Sequence, residues 1–474
     1  AYNRREQIAD PGLRDVWGQG FSRMWETMRV HPGCLGGSIW AAIDDTFFLP
    51  GGRTVGYGTW GPLDGWRRPK PEYWHMTKTY SPVRILDETA GVPAAGEPVR
   101  LTVENRSDFA NLSEMRFDWK LAGKSGHSKV EAAPGQKGAL VIPAGKSDLS
   151  GRELEITITG PRGFRVDAYR FTLGGEAVRG PAPLRKTGPL ELTQDPTNIT
   201  VSGIGFKYLI DAVTGQLKAG KVGRHDLPLS GPCLTVIPLD KEGGGTQLTG
   251  KEPVFTPLWG LYTDWKASAV VATGTGQTVR VKVSGAYAEA EGGYELVIDG
   301  SGRMTVEWNF TATEDVNPRQ TGMTFDLPKS CDTLAWRRRG QWSVYPEDHI
   351  GRLAGKTKAF QGHPACGLVG PRTKPSWPWS EDQNSYGCND FRSTKFNILE
   401  AVLSDQHGVG LRAVAAADRH AHTWIDGDKA RLMVADYAND GADSYFQCTR
   451  AIPDRKVARG EAFCGSVQVE LAGK

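Results

Sequence analysis

Trp40, Asp44 and Asp45 stand together in the stretch GGSIWAAIDDTFFLPGG, which runs from Gly36 to Gly52. Tryptophan offers a broad apolar face and a single N–H donor, a surface that suits the C–H faces of sugars as well as it suits a protein core. Ionised carboxylates only accept hydrogen bonds, so a pair of them fits hydroxyl donors. Neighbours on a strand point to opposite faces, however, so Asp44 and Asp45 cannot flank one scissile bond as acid and nucleophile. Glu347-Asp348 and Glu381-Asp382 share this defect unless a turn relaxes it, and Glu6 has no evident partner in the sequence.

Other groupings carry weaker signals. The loop KPSWPWSEDQNSYGCNDFR concentrates Trp377, Trp379, Glu381 and Asp382 between prolines, which suits either a binding surface or a plug between domains. Trp60 and Asp64 lie in the loop after the acidic pair. His420 and His422 are two apart and share a face if they sit on a strand; the expectation is a solvent-facing pair, since metal binding needs further ligands. Seven cysteines show no CxxC spacing and are odd in number, which argues against a zinc ribbon or a disulfide framework. Most are expected to be small buried hydrophobes.

The elements that must position these residues fall into two styles. In ADPGLRDVWGQGFSRMWETMRVHPG, Asp10 is the expected N-cap and Pro11 the first helical residue. Trp17, Phe21, Met24, Trp25 and Met28 then recur at helical spacing, and His31-Pro32-Gly33 ends the run. An apolar strand over Leu35–Ile43 and a second helix over Pro71–Tyr80 complete an α/β rhythm. From about Thr89 the period becomes two. Val99, Leu101 and Val103 alternate, as do Leu154, Ile156 and Ile158, the pattern of an antiparallel sandwich. Residues 179–197 are rich in Pro, Gly and charge and are expected to be a linker. Beyond them, YELVIDGSGRMTVEWNF predicts a hairpin with Tyr294, Leu296 and Ile298 facing Met304, Val306 and Trp308.

Bulk properties narrow the function classes. The 474 residues suggest about two to four domains. The formal net charge of +3 gives no field for nucleic acid or anionic lipid, and no apolar run approaches a membrane span. The first residues lack a signal-peptide core and an initiator Met, so the natural start is expected elsewhere and the compartment is not legible. A closed eight-stranded α/β barrel needs about 250 residues, and residues 1–86 hold only one or two of its units. The strand Leu35–Ile43, apolar on both faces, therefore expects neighbours that this chain does not supply. A small α/β cap on the sandwiches is the alternative.

The chain resembles the C-terminal half of glycoside hydrolase family 2, the β-galactosidase type. GGSIWAAIDD resembles the last-strand motif of that family's catalytic barrel, and VGYGTWGPLDGWRRPKPEYWHMTKTYSPVRI the segment leaving it. VENRSDFANLSEMRFDWKL is similar to the start of the linking sandwich. GFKYLIDAVTGQL, AWRRRGQWSVYPEDHIGRLAG and GCNDFRSTKFNI are similar to the large C-terminal sandwich, in the family's order.

The resemblance implies a mainly β chain. Residues 1–86 would be the end of a (β/α)8 barrel and 87–178 an immunoglobulin-like β-sandwich. Residues 179–197 would be a linker and 198–474 a large β-galactosidase-type β-sandwich. It implies a retaining exo-glycosidase, which uses two carboxyl groups about 5–5.5 Å apart. In the family both are glutamates that precede the last barrel strand, the nucleophile lying just upstream of the segment that AYNRRE resembles. Neither has a match here, so the chain alone is expected to be inactive. The resemblance implies substrate-binding roles for Trp40, Asp44, Asp45, Trp60 and Asp64, and the aromatic loop adds Trp377 and Trp379. Arg67 and Arg68 are expected to pair with acids at the join between barrel and sandwich. GTWGPLDGW lacks the Asn-x-Lys motif of the β-glucuronidase branch, which favours a neutral sugar over a uronic acid. The family's barrel metal belongs around the absent glutamates, so no metal ligand or cofactor is assigned to this chain. Expected partners are a carbohydrate substrate and a barrel-bearing segment or chain, with self-association left open. The alternatives are a non-catalytic carbohydrate-binding or scaffold chain, and a complementing subunit of a split enzyme.

Overall fold

In a computed structural model, the structure describes residues 6, 10–52, 54–56, 61–175, 181–239, 262–359, 374–379, 390–439 and 453–473. The described residues are mainly β and include the helices α1 (Leu13–Val30) and α2 (Pro71–Thr79). No helix among the described residues is long and apolar enough to cross a membrane.

Helix α1 starts two residues later than Asp10 and Pro11 predict. The Asp10 carboxylate instead accepts from the Gly12 N–H at 2.9 Å and closes the turn before the helix. The predicted aromatic face forms. Trp17 stacks on Phe21 at 4.9 Å, and both Phe21 and Trp25 meet Tyr80, just past the end of α2, edge to face. Helix α2 opens with Pro71, as expected from proline's preset φ and missing donor. The two helices approach closely at Gly18: a Cβ there would lie 2.1 Å from Nδ1 of His75.

The predicted strand over Leu35–Ile43 is not formed. Leu35 is fully exposed, and the pairing of the segment is a single parallel bridge from Ile43 to Leu63. A strand apolar on both faces needs a partner on each side to satisfy its backbone, and the described residues provide none there beyond Leu63.

Residues beyond α2 form two antiparallel sheets around one core. Val83–Ile85, Val99–Asn105 and Lys137–Ile142 make one sheet. Lys124–Ser128, Arg116–Leu121, Glu153–Thr159 and Arg165–Thr172 make the other. The period-two residues Val99, Leu101, Val103, Leu154, Ile156 and Ile158 all point into that core.

The remainder is a larger pair of sheets. One has eight strands in the order Glu191–Gln194, Asn198–Gly203, Phe206–Asp211, Leu217–Val222, His225–Pro238, Pro318–Pro328, Lys429–Ala438, His420–Asp426. The other has nine: Lys266–Thr275, Thr278–Ala286, Ala290–Asp299, Arg303–Ala312, Ala462–Ala472, Gly410–Val414, Ile398–Ser404, Thr333–Arg338, Ala354–Lys358. Their inner faces share one apolar cluster that includes Tyr208, Leu296, Phe325, Val434 and Leu471. Each fully buried aliphatic or aromatic side chain contributes about 1.5–3 kcal/mol. The predicted hairpin is present in register, with Tyr294 opposite Trp308, Leu296 opposite Val306 and Ile298 opposite Met304.

The proline-rich stretch expected to be a linker is bound to this sandwich. Its end, Glu191–Gln194, is the outermost strand of the eight-stranded sheet. Its earlier residues hold Arg303 through the Pro181 carbonyl and Arg412 through the Ala182 carbonyl. Of the four described cysteines, only Cys331 is buried; Cys34 and Cys464 are exposed and Cys233 is intermediate. The expectation that most are buried does not hold among the described residues.

Candidate functional site

The loop between Gly61 and Lys70 folds around two buried carboxylates. Asp64 accepts from the backbone N–H groups of Trp66 at 2.9 Å and Arg68 at 2.8 Å, which closes a tight turn with Arg67 at positive φ. Its second oxygen takes the Arg68 Nε at 2.7 Å. Asp44 accepts from the Gly61 N–H at 2.9 Å and from the Lys70 ammonium at 2.7 Å. Its own N–H donates to the Leu63 carbonyl. Gly61 is required at this contact, since a Cβ would lie 2.5 Å from the Ile43 carbonyl carbon.

Beside Lys70, the first turn of α2 presents Glu72, which is ion-paired to Arg14 from α1. The Arg14 guanidinium lies 5.2 Å from the ring centre of Trp379, a buried side chain that packs on Ile350. Arg68 reaches the same loop, donating to the Trp377 carbonyl at 3.3 Å. Arg14 and Arg68 thus tie Glu72 and Asp64 to the two tryptophans of the C-terminal loop, while Lys70 holds Asp44 beside them. The pairing expected of Arg68 with an acid is present in Asp64.

The two acids nearest Lys70 are driven apart. Burial pushes the Asp44 carboxyl up to about 6, against the pull of Lys70 and Arg14. Burial also acts on Glu72, but Arg14 and Lys70 outweigh it and hold that carboxyl below its ordinary value. Divergent carboxyl groups are the raw material of acid–base chemistry. Here both are buried beneath fixed ion partners.

Of the residues expected to bind substrate, Asp44, Asp64, Trp377 and Trp379 come together at this junction. Asp45 is half-buried beside Asp44. Trp40 stands apart: its side chain is 81% exposed on the unpaired segment after α1. Trp60, Glu381 and Asp382 lie outside the described residues.

Sequence reasoning missed the groups that bind this segment to the large sandwich. Asp10 is fully buried, pairs with Arg319 at 2.9 Å, and accepts from the Thr394 N–H at 2.8 Å and from its hydroxyl. Asp15 takes Arg338 at 2.7 Å and faces His75. His349, between them and α2, donates to the Pro71 carbonyl and accepts from the Gly351 N–H. The available signal was charge on the inner side of an amphipathic helix.

His420 and His422 are also buried, contrary to the solvent-facing expectation. They share a strand, His420–Asp426, at the edge of the eight-stranded sheet. That edge is covered by the segment around Lys395, which bridges to Ala421. His420 accepts from the Asn397 N–H and His422 meets Gln320. Burial drives both rings down to about 4. Among the described residues no group of three or more His, Cys, Asp or Glu is arranged to hold a metal.

A β-galactosidase is similar to this chain. The protein, from Psychromonas ingrahamii, is 26% identical over 217 residues, covering 40% of this chain. The aligned part spans only 20% of that relative's length. The likeness supports a glycoside hydrolase-like relationship. No protein-family model matches. Among solved structures, a galactose 1-epimerase from Lactobacillus acidophilus is 10% identical with a TM-score of 0.29, over 61% of this chain and all of that one. A copper-containing benzylamine oxidase from Hansenula polymorpha is 10% identical with a TM-score of 0.25, over 82% of this chain and 77% of that one. Scores this low establish no common architecture.

Proposed function

We propose that this chain is the C-terminal portion of a retaining, exo-acting glycoside hydrolase of the β-galactosidase type, removing a terminal neutral sugar. Residues up to 86 form the end of a (β/α)8 barrel, residues 87–178 an immunoglobulin-like linking sandwich, and residues 198–474 the large C-terminal sandwich. Trp40, Asp44, Asp45, Trp60 and Asp64 line one wall of the sugar pocket in the complete enzyme. Trp377 and Trp379 carry the C-terminal sandwich up to that wall. The catalytic carboxyl groups belong to barrel sequence outside this chain.

One observation carries the reading. An apolar segment ending in Trp40 has its tryptophan 81% exposed, yet it runs directly into the buried, fixed Asp44. An apolar segment that leads into a rigid anchor but forms no strand by itself fits a barrel unit whose neighbouring strands belong to another stretch of polypeptide.

The test uses nitrophenyl glycosides. The 474-residue chain alone should show no hydrolysis, and adding a polypeptide that carries the rest of the barrel should restore turnover of a β-galactoside. Hydrolysis by the chain alone would sink the proposal. Absence of turnover after a stable complex has formed would favour the non-catalytic carbohydrate-binding reading instead.

A further inference from the structure

The strand Lys266–Thr275 is the outermost strand of the nine-stranded sheet, paired to Thr278–Ala286 on one side only. Its sequence is KASAVVATGT: ten residues, a single charge at the first, and no proline. An outer strand turns alternate backbone N–H and C=O groups away from its sheet, which makes it a template for another strand.

The other outer strands of the two large sheets are guarded. Ala354–Lys358 has five residues, two of them lysine. Glu191–Gln194 has four and starts with a glutamate. His420–Asp426 is covered by the segment around Lys395. Short length, charge and a covering segment are the usual protections of a sheet edge. Lys266–Thr275 is ten residues long with its one charge at the first, no covering segment pairs with it among the described residues, and it carries Val271 with 55% of its surface exposed.

We propose that this edge pairs with the same edge of a second copy of the chain, antiparallel about a twofold axis through Val271. The axis stands perpendicular to the sheet, so each residue keeps its face and Val271 lies directly opposite the partner's Val271. That contact buries the exposed valine against a β-branched partner, a favourable cross-strand pair. On the inner face Val270 falls opposite Ala272 of the second copy. Both already pack on the edge of the apolar core, so the core continues across the interface. Charge selects the orientation. Antiparallel pairing in this register places the two Lys266 side chains about 34 Å apart along the strands, whereas parallel pairing would set them side by side. The contact is isologous and closes at two copies.

The proposal is independent of the catalytic reading and is tested by light scattering coupled to size exclusion over a dilution series. The wild-type chain should be a dimer that dissociates on dilution. Val271→Lys sets two ammonium groups opposite each other and should weaken self-association by at least about tenfold. Val271→Thr, which keeps the β-branch, should remain dimeric. Hydrogen exchange on the wild type adds a readout that needs no variant: the alternate amides of residues 266–275 that face away from Thr278–Ala286 should lose protection as the dimer dissociates. A wild type that stays monomeric at its highest soluble concentration would overturn the proposal. So would a dimer that survives Val271→Lys, or one in which those alternate amides exchange equally fast at every concentration.

Discussion

The Asp44 carboxylate lies 2.7 Å from the Lys70 ammonium, and both side chains are buried, with the Lys70 side chain 1% exposed. Removing one member takes from the other its directly bonded ion partner in a buried setting. Lys70→Met or Asp44→Asn is therefore expected to destabilise the chain by about 3 kcal/mol. The double variant Asp44→Asn/Lys70→Met should recover much of that loss. Urea unfolding of the four proteins measures the coupling; additive single effects would show that the pair is not a unit.

Acid should weaken the fold in a defined window. Burial lowers His349 to about 3 and His420 and His422 to about 4, from an ordinary value of 6.5. Between roughly pH 4 and 6.5 the unfolded chain binds protons that these rings refuse in the native state, so their contribution to stability is full above 6.5 and falls as pH drops. Asp44 acts in the opposite direction. Its native value of about 6 lies above the ordinary 3.8, so its ionisation costs stability as pH rises through that interval. Three protons against one leave a net uptake of about two on unfolding near pH 5. Unfolding curves at pH 5 and pH 7 measure this, and His422→Gln should remove about one proton from the slope.

Much of the β architecture was legible because its signal is local. The alternation in Leu296, Ile298, Met304 and Val306 fixes which face is buried, and the three-residue turn between Asp299 and Arg303 fixes the register. Long-range pairs leave no such trace. Asp44 and Lys70 are 26 residues apart and Asp10 and Thr394 are 384 apart, with nothing in either neighbourhood to name the other. His420 and His422 read as surface residues because their polarity says nothing of the Asn397 backbone that covers them. The strand Leu35–Ile43 was legible as apolar, but a strand exists only when a partner takes its backbone hydrogen bonds.

Gly18 should resist even the smallest substitution. Alanine is favoured over glycine in a helix interior by about 1 kcal/mol, so Gly18→Ala would stabilise an unconstrained α1. Here the added methyl would lie 2.1 Å from the His75 ring, so the two helices must separate. A net loss of about 1–3 kcal/mol is expected, read as a lower Tm. A raised Tm would mean that His75 moves freely and that the α1–α2 contact is not tightly set.

Trp40 and Trp379 make the sharpest contrast between binding and packing. Trp379 is buried under Arg14 and against Ile350, so Trp379→Ala should cost about 3–5 kcal/mol of stability. Trp40 is exposed in this chain, and Trp40→Ala should change its stability by less than about 0.5 kcal/mol. The pocket reading makes a different demand on the same variant. In the presence of the barrel-bearing polypeptide, Trp40→Ala should lower kcat/KM for a nitrophenyl β-galactoside while leaving the unfolding of this chain unchanged. A variant that keeps full activity there would remove Trp40 from the sugar site, and a large loss of stability in the isolated chain would make it a core residue instead.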